Sequence, residues 1–382
     1  MTAISSGSAK TAAAPFRAGQ VGSLLRPEPL KAARRAFFED ETIGAEELRA
    51  VEDAEIAAAV RQQENVGMPE ATDGEFRRSF WHYDFLGGLD GIELFQKQEG
   101  VQFHGANLRP IYPAVTGKVG WSSHPMLEHF EYLARTTREA QPKISIPAPS
   151  AAHFRMLPED LIHPEYKEDL EAYFADLTAA FRGAVQGFYD AGCRYIQLDE
   201  VFIVYLCDQK IRKEWSDRGI DPDWLIDQYA AMIDGAVKDR PDDMTAAIHL
   251  CRGNFRSTFV AEGGYDPAAD ALFNKMDIDI YFMEYDSERA GGLEPLRLLP
   301  KGHKRVMPGF ITTKTGELES VDAIAKQIDA AAKFAPLDQL GIAPQCGFSS
   351  TEEGNLVTMD DQWRKLELVV KVAEKVWGGV DS

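Results

Sequence analysis

Short apolar segments alternate with long amphipathic segments along most of the 382-residue sequence, and this alternation constrains the fold more than any other feature. Eight short segments have the composition of β-strands, and most are separated by helical patterns. The predicted strands are QVGSLL (20–25), MPEATDGE (68–75), KISIPAP (143–149), RYIQLDE (194–200), TAAIHLC (245–251), IDIYFMEYD (278–286), KRVMPGF (304–310) and LGIAPQC (340–346). Eight strands joined by helices predict an α/β fold of the (β/α)8 TIM-barrel type.

The predicted helices and the surplus length complete this architecture. The helical stretches are two helices within 28–66, broken near 42–44, followed by 167–191, 222–239, 266–275, 320–334 and 360–377. A barrel needs about 250 residues, so the rest belongs to an N-terminal extension and to 85–142, where Gly-rich alternation predicts a β-hairpin inserted after strand 2. A doubly wound sheet is the alternative, but no Gly-rich phosphate loop follows the first predicted strand.

Composition restricts the class of protein. Residues 1–15 are small and polar and are predicted to form a disordered tail rather than a signal peptide, which leaves 16–382 as a single domain. Four cysteines are too few for a disulfide framework, and no apolar run is long enough to span a membrane. With 61 acidic and 41 basic residues the formal net charge is −20, which disfavours nucleic acid and membrane surfaces as partners. We expect a cytoplasmic protein.

Polar residues stand at the carboxyl ends of the predicted strands, where barrels carry their reactive groups. Because these ends surround one mouth of a barrel, residues far apart in sequence are expected to meet there. They are Ser23, Asp73, Glu75, Asp199, Glu200, His249, Cys251, Glu284, Asp286 and Cys346.

Three of these residues predict a metal site. His249 and Cys251 are two positions apart and therefore lie on the same face of a strand, and Cys346 ends a later strand. A His-x-Cys pair alone is often coincidental, but a third ligand in the same layer favours zinc. Three protein ligands leave a fourth position open for a substrate, as in catalytic zinc sites, and Glu284 could fill it at rest.

Six segments, in the same order, resemble the C-terminal catalytic barrel of cobalamin-independent methionine synthase. The resemblance extends from about residue 16 to 378, and the second barrel of the long enzymes is missing. Single-barrel relatives include the epoxyalkane:coenzyme M transferases. The segments are VGSLLRP (21–27), DGEFRR (73–78), YIQLDE (195–200), HLCRGNF (249–255), the glutamate of YFMEYD (281–286) and PQCGFSS (344–350).

The resemblance implies a zinc-dependent methyltransferase that S-methylates a small-molecule thiol, with homocysteine, bound as a zinc thiolate, as the first substrate candidate. His249, Cys251 and Cys346 resemble the zinc ligands, and Glu284 resembles the displaceable fourth ligand. Three further positions match those that hold the amino-acid end of homocysteine in the family. These are Ser23, Glu75 and Asp199, and the two carboxylates, which would orient the substrate, are the candidate catalytic residues.

Structural roles are the alternatives at several of these positions. Ser23 could cap a helix, Glu75 could pair with a neighbouring arginine (77 or 78), and Asp199 could cap the following segment. Next to the His-x-Cys pair, Arg252 and Asn254 either contact the substrate or fix their loop. The aromatic cluster at 81–83 could line the site, although packing is the commoner role of such a cluster.

The sequence departs from the family on the donor side. A histidine after the penultimate strand is thought to help activate the folate there; the matching stretch PGFITTK (308–314) has none, and Lys314 is the candidate for that place. Gln345 replaces an aspartate before the last cysteine. The methyl donor therefore remains open between a folate, a methylated corrinoid or its carrier protein, and another methylated compound.

Three other functions remain as alternatives. The first is the zinc-dependent addition of a thiol such as coenzyme M to an epoxide. The second is a metal-free decarboxylase resembling uroporphyrinogen decarboxylase, which the acidic composition and the three metal-ligand residues disfavour. The third is a non-catalytic zinc protein that stores or senses a thiol.

Overall fold

Parallel strands form the centre of the molecule. The computed structural model describes residues 15–96, 102–103, 106–107, 111–154 and 160–381. The strands are β1 Glu70–Ala71, β2 Asp90–Gln96, β3 Gln102–Phe103, β4 Ala106–Asn107, β5 Ile111–Gly120, β6 Gln141–Pro142, β7 Ile144–Pro147, β8 Tyr195–Glu200, β9 Thr245–Leu250, β10 Ile280–Glu284, β11 Arg305–Ile311 and β12 Ala343–Pro344.

Helices follow most of the barrel strands, as the sequence predicts. The helices are α1 Glu28–Phe38, α2 Ala45–Asn65, α3 Tyr83–Leu86, α4 Met126–Thr136, α5 Pro164–Glu168, α6 Leu170–Asp190, α7 Phe202–Tyr205, α8 Gln209–Asp217, α9 Pro222–Val237, α10 Ala269–Asn274, α11 Val321–Ala331 and α12 Met359–Trp377. Short 3-10 turns occupy Pro149–Ala152, Glu288–Ala290, Glu294–Leu298 and Leu337–Gln339. None of the described helices is both long and apolar enough to cross a membrane.

The parallel segments form a ring. β7, β8, β9, β10, β11 and β12 are hydrogen-bonded in that order, and β6, which continues into β7 through Lys143, pairs with β1. On the other side of β12, Ala18 forms a parallel bridge with Ile342. A side chain closes the remaining gap, since the Gln20 backbone N–H donates to Glu70 Oε1 at 2.8 Å. Eight parallel segments thus surround one axis, and the predicted barrel is confirmed.

The first strand differs in position from its prediction. The parallel bridge of the first segment lies at Ala18, before the predicted range 20–25. At Gly22 the backbone has φ +131°, a conformation that a regular strand does not contain. Side chains replace a neighbouring strand there: Gln197 Nε2 donates to the Val21 carbonyl, and the Thr72 hydroxyl donates to the Gly22 carbonyl.

The insertion after the second strand position contains the predicted hairpin. β2 and β5 pair in antiparallel register, and β3 and β4 pair in the same way. The insertion also contains α4, which the sequence analysis does not predict and which buries Met126, Phe130 and Leu133. The predicted disordered tail falls on residues 1–15, of which 1–14 lie outside the described part of the chain.

Most side chains inside the barrel are apolar at its amino end and polar at its carboxyl end. A separate apolar cluster fills the interior at the amino end; it consists of Tyr195, Ala247, Ile280, Phe282, Met307 and Ala343. Successive inward positions on a strand are two residues apart. The inward positions at the carboxyl ends of β8, β9 and β10 are therefore Asp199, His249 and Glu284.

Candidate metal centre and active site

Four predicted ligands converge at the carboxyl end of the barrel. One ligand atom from each of His249, Cys251, Glu284 and Cys346 lies within 4.8 Å of the other three, and all four residues are buried. His249 Nε2 is 3.3 Å from Cys346 Sγ, and the two cysteine sulfurs are 3.5 Å apart. Cys251 continues the direction of β9, because its backbone N–H donates to the Glu200 carbonyl at 3.0 Å.

The donor set fits a tetrahedral metal ion. Zinc binds sulfur at about 2.3 Å and imidazole nitrogen at about 2.0 Å, so neighbouring ligand atoms of a tetrahedron lie about 3.5–3.8 Å apart. The observed separations are close to that range, and two sulfurs, one imidazole and one carboxylate are ligands that zinc accepts. Among the described residues, the other imidazole nitrogen, His249 Nδ1, is buried without a hydrogen-bond partner.

Charge in this cluster favours the ionised form of Cys346. Burial raises the pKa of a thiol, but at Cys346 the hydrogen bond with Cys251 and the charge of His249 outweigh burial, so the pKa of Cys346 lies well below its usual range. Burial lowers the pKa of an imidazole, but the neighbouring Cys346 raises the pKa of His249. A metal cation that binds here replaces the proton that the two side chains hold between them.

Glu284 has partners besides a metal. Its Oε1 accepts from the Arg252 backbone N–H at 2.8 Å, and its Oε2 accepts from Arg289 Nη2 at 3.1 Å. Burial raises the pKa of this carboxyl, and the charge of Lys314 opposes the rise. A carboxylate held in this way can remain hydrogen-bonded when it does not ligate a metal, as the role of a displaceable ligand requires.

Glu75 is held in a strained conformation beside the cluster. Its φ is +62°, a left-handed conformation that a residue with a side chain adopts at a cost of about 1 kcal/mol or more. Ser145 donates to its Oε1 at 3.0 Å, while Oε2 is buried and has no hydrogen-bond partner among the described residues. Arg78 lies 3.7 Å from Glu75 Oε1, whereas Arg77 pairs with Glu52. Strain and an unsatisfied oxygen together favour a ligand-binding role.

Asp199 and Glu200 are adjacent carboxylates with different surroundings. Asp199 lines the pocket beside the metal ligands and accepts from Gln197 Nε2 at 2.7 Å. Burial and the charge of Glu75 raise the pKa of Asp199 to about 7. Glu200 holds the amino end of α7 instead, because its Oε1 accepts from the backbone N–H groups of Phe202 and Ile203.

The expectation that Glu200 belongs to the same mouth is therefore corrected. Neighbouring residues of a strand point to opposite faces, so only one of these two carboxylates can face the barrel interior. The alternative in which Asp199 caps the following segment is also excluded, since Glu200 fills that role.

Of the other strand-end residues, Asp73 Oδ1 accepts from the Glu75 backbone N–H, and Asp286 pairs with Arg289.

Ser23 lies against the loop that carries Cys346. The Ser23 hydroxyl accepts from the Ser349 backbone N–H at 3.3 Å, and the Ser23 carbonyl accepts from the Phe348 N–H at 2.9 Å. A β-carbon added to Gly347 would lie only 1.9 Å from Ser23 Oγ and 3.1 Å from Ser23 Cβ, so a larger residue at 347 would force Ser23 to move. Ser23 is not a helix cap, because the N-cap of α1 is Pro27.

One pocket brings the predicted residues together. Three predicted metal ligands, the three predicted substrate-binding residues and several aromatic side chains of the surrounding segments line it. The lining residues are Val21, Ser23, Glu75, Trp81, Asp199, Val201, Tyr205, His249, Cys251, Gly253, Asn254, Phe255, Cys346, Ser350 and Thr351. Glu284, the predicted fourth ligand, is fully buried and does not line this pocket.

Sequence reasoning misses part of this lining. Tyr205, at the end of α7, belongs to no motif, and Phe255, the last residue of HLCRGNF, is given no role, although both lie in segments that follow barrel strands, where such pockets form. Arg252 fixes its loop: its guanidinium donates to the Gly263 carbonyl and to the Tyr265 hydroxyl.

Gln345 shows how the chain replaces the aspartate of the family. Its side-chain oxygen accepts from the backbone N–H and from the hydroxyl of Thr313, both at 2.8 Å. An uncharged oxygen therefore holds the loop that follows β11, and no additional negative charge is placed beside Cys346.

The fold and the site define the class of protein as a (β/α)8-barrel enzyme with a possible metal site of one histidine, two cysteines and one glutamate beside buried carboxylates. Residues 16–375 match the family described as the catalytic domain of cobalamin-independent synthase. The chain therefore belongs to that family, which confirms the resemblance inferred from its sequence motifs.

Individual relatives agree with this assignment. The chain is 45% identical over 363 residues to the Bacillus subtilis protein named "Uncharacterized protein YxjG", with 95% of each chain covered. It is 23% identical to a protein of Sulfolobus acidocaldarius named "Methionine synthase", covering 86% of this chain and 84% of that one. A "Probable 5-methyltetrahydropteroyltriglutamate--homocysteine methyltransferase" of Schizosaccharomyces pombe is 24% identical, and the match spans 88% of this chain and 40% of that protein.

Solved structures have the same fold. The crystal structure of a provisionally assigned vitamin-B12 independent methionine synthase from Listeria monocytogenes is 37% identical, with a TM-score of 0.76, and the match covers 96% of this chain and 99% of that chain. A B12-independent methionine synthase from Shewanella sp. W3-18-1, solved in complex with selenomethionine, is 22% identical with a TM-score of 0.69; the match covers 95% of this chain and 98% of that chain.

Proposed function

We propose that this protein transfers a methyl group to the sulfur of homocysteine and so forms methionine. The observation that carries the proposal is the convergence, in one place, of a four-residue metal cluster and two buried carboxylates. The cluster suits a thiol, and the carboxylates suit an ammonium group. Homocysteine contains both groups on one short chain.

Zinc is the proposed metal, with His249, Cys251 and Cys346 as permanent ligands and Glu284 as the ligand that yields to substrate. A bound zinc ion would favour the thiolate form of the substrate, because its charge competes with the proton for sulfur. Glu284 keeps the Arg252 N–H and the Arg289 guanidinium as partners after it is displaced.

The amino-acid end of the substrate is proposed to bind opposite the cluster. Glu75 Oε2 and the Asp199 carboxylate accept from the substrate ammonium, which satisfies the buried oxygen and reduces the repulsion between the two acids. The Ser23 hydroxyl donates to the substrate carboxylate. These contacts fix the sulfur for in-line attack, so Glu75 and Asp199 contribute by positioning.

The methyl donor is proposed to be a folate of the kind named in the relatives from Schizosaccharomyces pombe and Campylobacter jejuni. Trp81, Tyr205 and Phe255 line the same pocket and provide aromatic surface for a flat ring system. The carbon–nitrogen bond of the donor breaks as the sulfur–carbon bond forms, and the released nitrogen takes a proton.

The pocket favours this function over the two other catalytic alternatives. Coenzyme M carries a sulfonate and no ammonium, so Glu75 and Asp199 would repel it. A decarboxylase for substrates with several carboxylates needs cationic side chains, and the described lining of this pocket includes neither arginine nor lysine.

Replacement of Cys346 by serine tests the proposal. The protein is loaded with zinc, given homocysteine and 5-methyltetrahydropteroyltriglutamate, and assayed for methionine by mass spectrometry. We expect the wild type to form methionine, and Cys346→Ser to lose most of its metal and at least about 1,000-fold in rate. Cys193→Ser, a change of a buried cysteine outside the pocket, is the control for metal content. Absence of methionine with this donor and with methylcobalamin would refute the proposal.

A further inference from the structure

The Lys314 side chain joins the two loops that carry the cysteine ligands. It follows β11, and its Nζ donates to Asn254 Oδ1 and to the Thr258 carbonyl, both at 3.1 Å. Asn254 in turn donates through Nδ2 to the Gly347 carbonyl at 2.8 Å. The chain of contacts therefore runs from the loop after Cys251 to the residue after Cys346.

The ammonium of Lys314 forms no ion pair with an acidic side chain in the described part of the chain. Both of its hydrogen-bond acceptors are neutral oxygens, and an ammonium has three N–H donors. The side chains of the other cationic residues near the cluster have other partners. Arg289 pairs with Glu284 and Asp286, and the Arg252 guanidinium lies against carbonyls and the Tyr265 ring.

Lys314 lies close to the cluster, because its acceptor Asn254 is three residues after Cys251 and donates to Gly347, the residue next to Cys346. Burial raises the pKa of Glu284, and the charge of Lys314 is the largest influence that opposes the rise. The hydrogen bond with Cys346 raises the pKa of Cys251, and Lys314 again opposes the rise. Electrostatic attraction is only weakly screened by salt here, because the cluster is buried.

We propose that Lys314 is a positioning residue whose ammonium stabilises the ionised sulfur of the substrate. This inference rests on the proposed function. With a divalent metal bound, the sulfurs of Cys251, Cys346 and the substrate would carry three negative charges, one more than the metal neutralises. Arg289 already pairs with both Glu284 and Asp286, so the charge of Lys314 is needed to offset the excess. A neutral sulfur at the same place leaves no excess to compensate.

The loss of Lys314 is expected to weaken the binding of a ligand with an ionised sulfur more than that of a ligand with a neutral sulfur. Homocysteine binds with an ionised sulfur, while the product methionine has the same amino-acid end and a neutral thioether. We expect Lys314→Met to weaken homocysteine binding about tenfold and methionine binding less than about twofold. Calorimetric titration of the metal-loaded protein measures both dissociation constants, and the metal content is determined for each variant.

Two further variants separate charge from loop structure. Lys314→Gln retains a hydrogen-bond donor for Asn254 or Thr258 but has no charge, so we expect the same selective loss as in Lys314→Met. Lys333→Met removes the same charge from an exposed position just after α11 and should leave both affinities unchanged.

Several outcomes would overturn the inference. If Lys314→Met weakens homocysteine and methionine equally, or if Lys314→Gln binds homocysteine like the wild type, the residue acts only as a link between loops. If the wild-type protein binds neither ligand, the proposed function fails, and this inference fails with it. If the wild type binds both ligands and the variants lose affinity for both equally, only the role of Lys314 is refuted and the proposed function stands.

Discussion

At the residue scale, Asp199 and Glu200 show how one step along a strand separates two functions. Burial raises the pKa of both carboxyls to about 7, yet Asp199 lines the pocket and Glu200 holds the start of α7. The Ser150 hydroxyl donates to Glu200 Oε2, which completes the hydrogen bonding of that carboxylate inside the protein. Asp199 has one oxygen bonded to Gln197 and otherwise faces the pocket.

This difference predicts unequal effects of two conservative substitutions. Asp199→Asn removes a charged partner of the substrate ammonium and should weaken methionine binding about 10- to 100-fold at pH 8. Glu200→Gln keeps the acceptor for the start of α7 and should leave the affinity within about twofold. Calorimetric titration of the two variants with methionine measures the effect; equal losses in both would contradict the assignment.

The raised pKa of Asp199 predicts how methionine binding depends on pH. The carboxylate form of Asp199 is present above its pKa of about 7 and is lost as the pH falls below it. Methionine has no group that titrates between pH 6 and pH 8, so its affinity should fall over this range, by up to about tenfold per unit below 7. Asp199→Asn should abolish this dependence, and Glu200→Gln should retain it. A profile that Asp199→Asn leaves unchanged would assign the titration to another group.

Strand periodicity allows much of this site to be predicted from the sequence. The i, i+2 spacing of His249 and Cys251 and the position of Cys346 after a strand are sufficient to propose a metal site. Periodicity cannot decide which of two adjacent carboxylates faces inward, because that depends on the register of β8 with β9. The strain at Glu75 is also absent from the sequence signal, since φ +62° follows from tertiary contacts and not from residue type.

At the element scale, the close approach of the first segment and the Cys346 loop is the feature most sensitive to change. Gly347→Ala would place a β-carbon 1.9 Å from Ser23 Oγ and 3.1 Å from Ser23 Cβ. We expect the variant to lose about 1–3 kcal/mol of unfolding free energy and at least about tenfold in methionine affinity, because one of the two segments must shift. Urea unfolding and calorimetric titration measure the two effects.

A second glycine provides the control. Gly379 has no atom within 4 Å of an added β-carbon, so Gly379→Ala should change the unfolding free energy by less than about 0.5 kcal/mol. Should Gly347→Ala behave like Gly379→Ala, the contact with Ser23 would not constrain the site.

The sequence predicts the type of the long elements better than it predicts the short helices and the positions of strands. The long helices α6, α9 and α12 follow from apolar spacing, and α12 has both a Thr358 capping box and a C-terminal Gly378. The unpredicted helix α4 has buried residues at i, i+4 and i+7, but it follows a Gly-rich stretch whose alternation predicts strands. The first strand is misplaced because side chains, which a periodicity argument does not consider, supply its hydrogen bonds.

At the scale of the whole molecule, the barrel is closed by a buried ion pair. The Lys143 ammonium and the Glu70 carboxylate are 2.6 Å apart and fully buried, and Lys143 also donates to the Gln20 carbonyl. These residues join the first segment, β1 and the junction of β6 with β7, where backbone pairing is sparse. Burial lowers the pKa of Lys143, and the charge of Glu70 opposes that effect.

Breaking this pair should destabilise the entire fold. Lys143→Met leaves Glu70 buried without its cation, so we expect a loss of about 3–5 kcal/mol in the free energy of unfolding, measured with urea. Lys213→Met, which breaks an exposed pair with Asp217, should cost less than about 1 kcal/mol. The double variant Glu70→Leu with Lys143→Met should recover part of the loss, because no unpaired charge remains. If the single and double variants are equally unstable, the cost comes from packing, and the ion pair does not close the barrel.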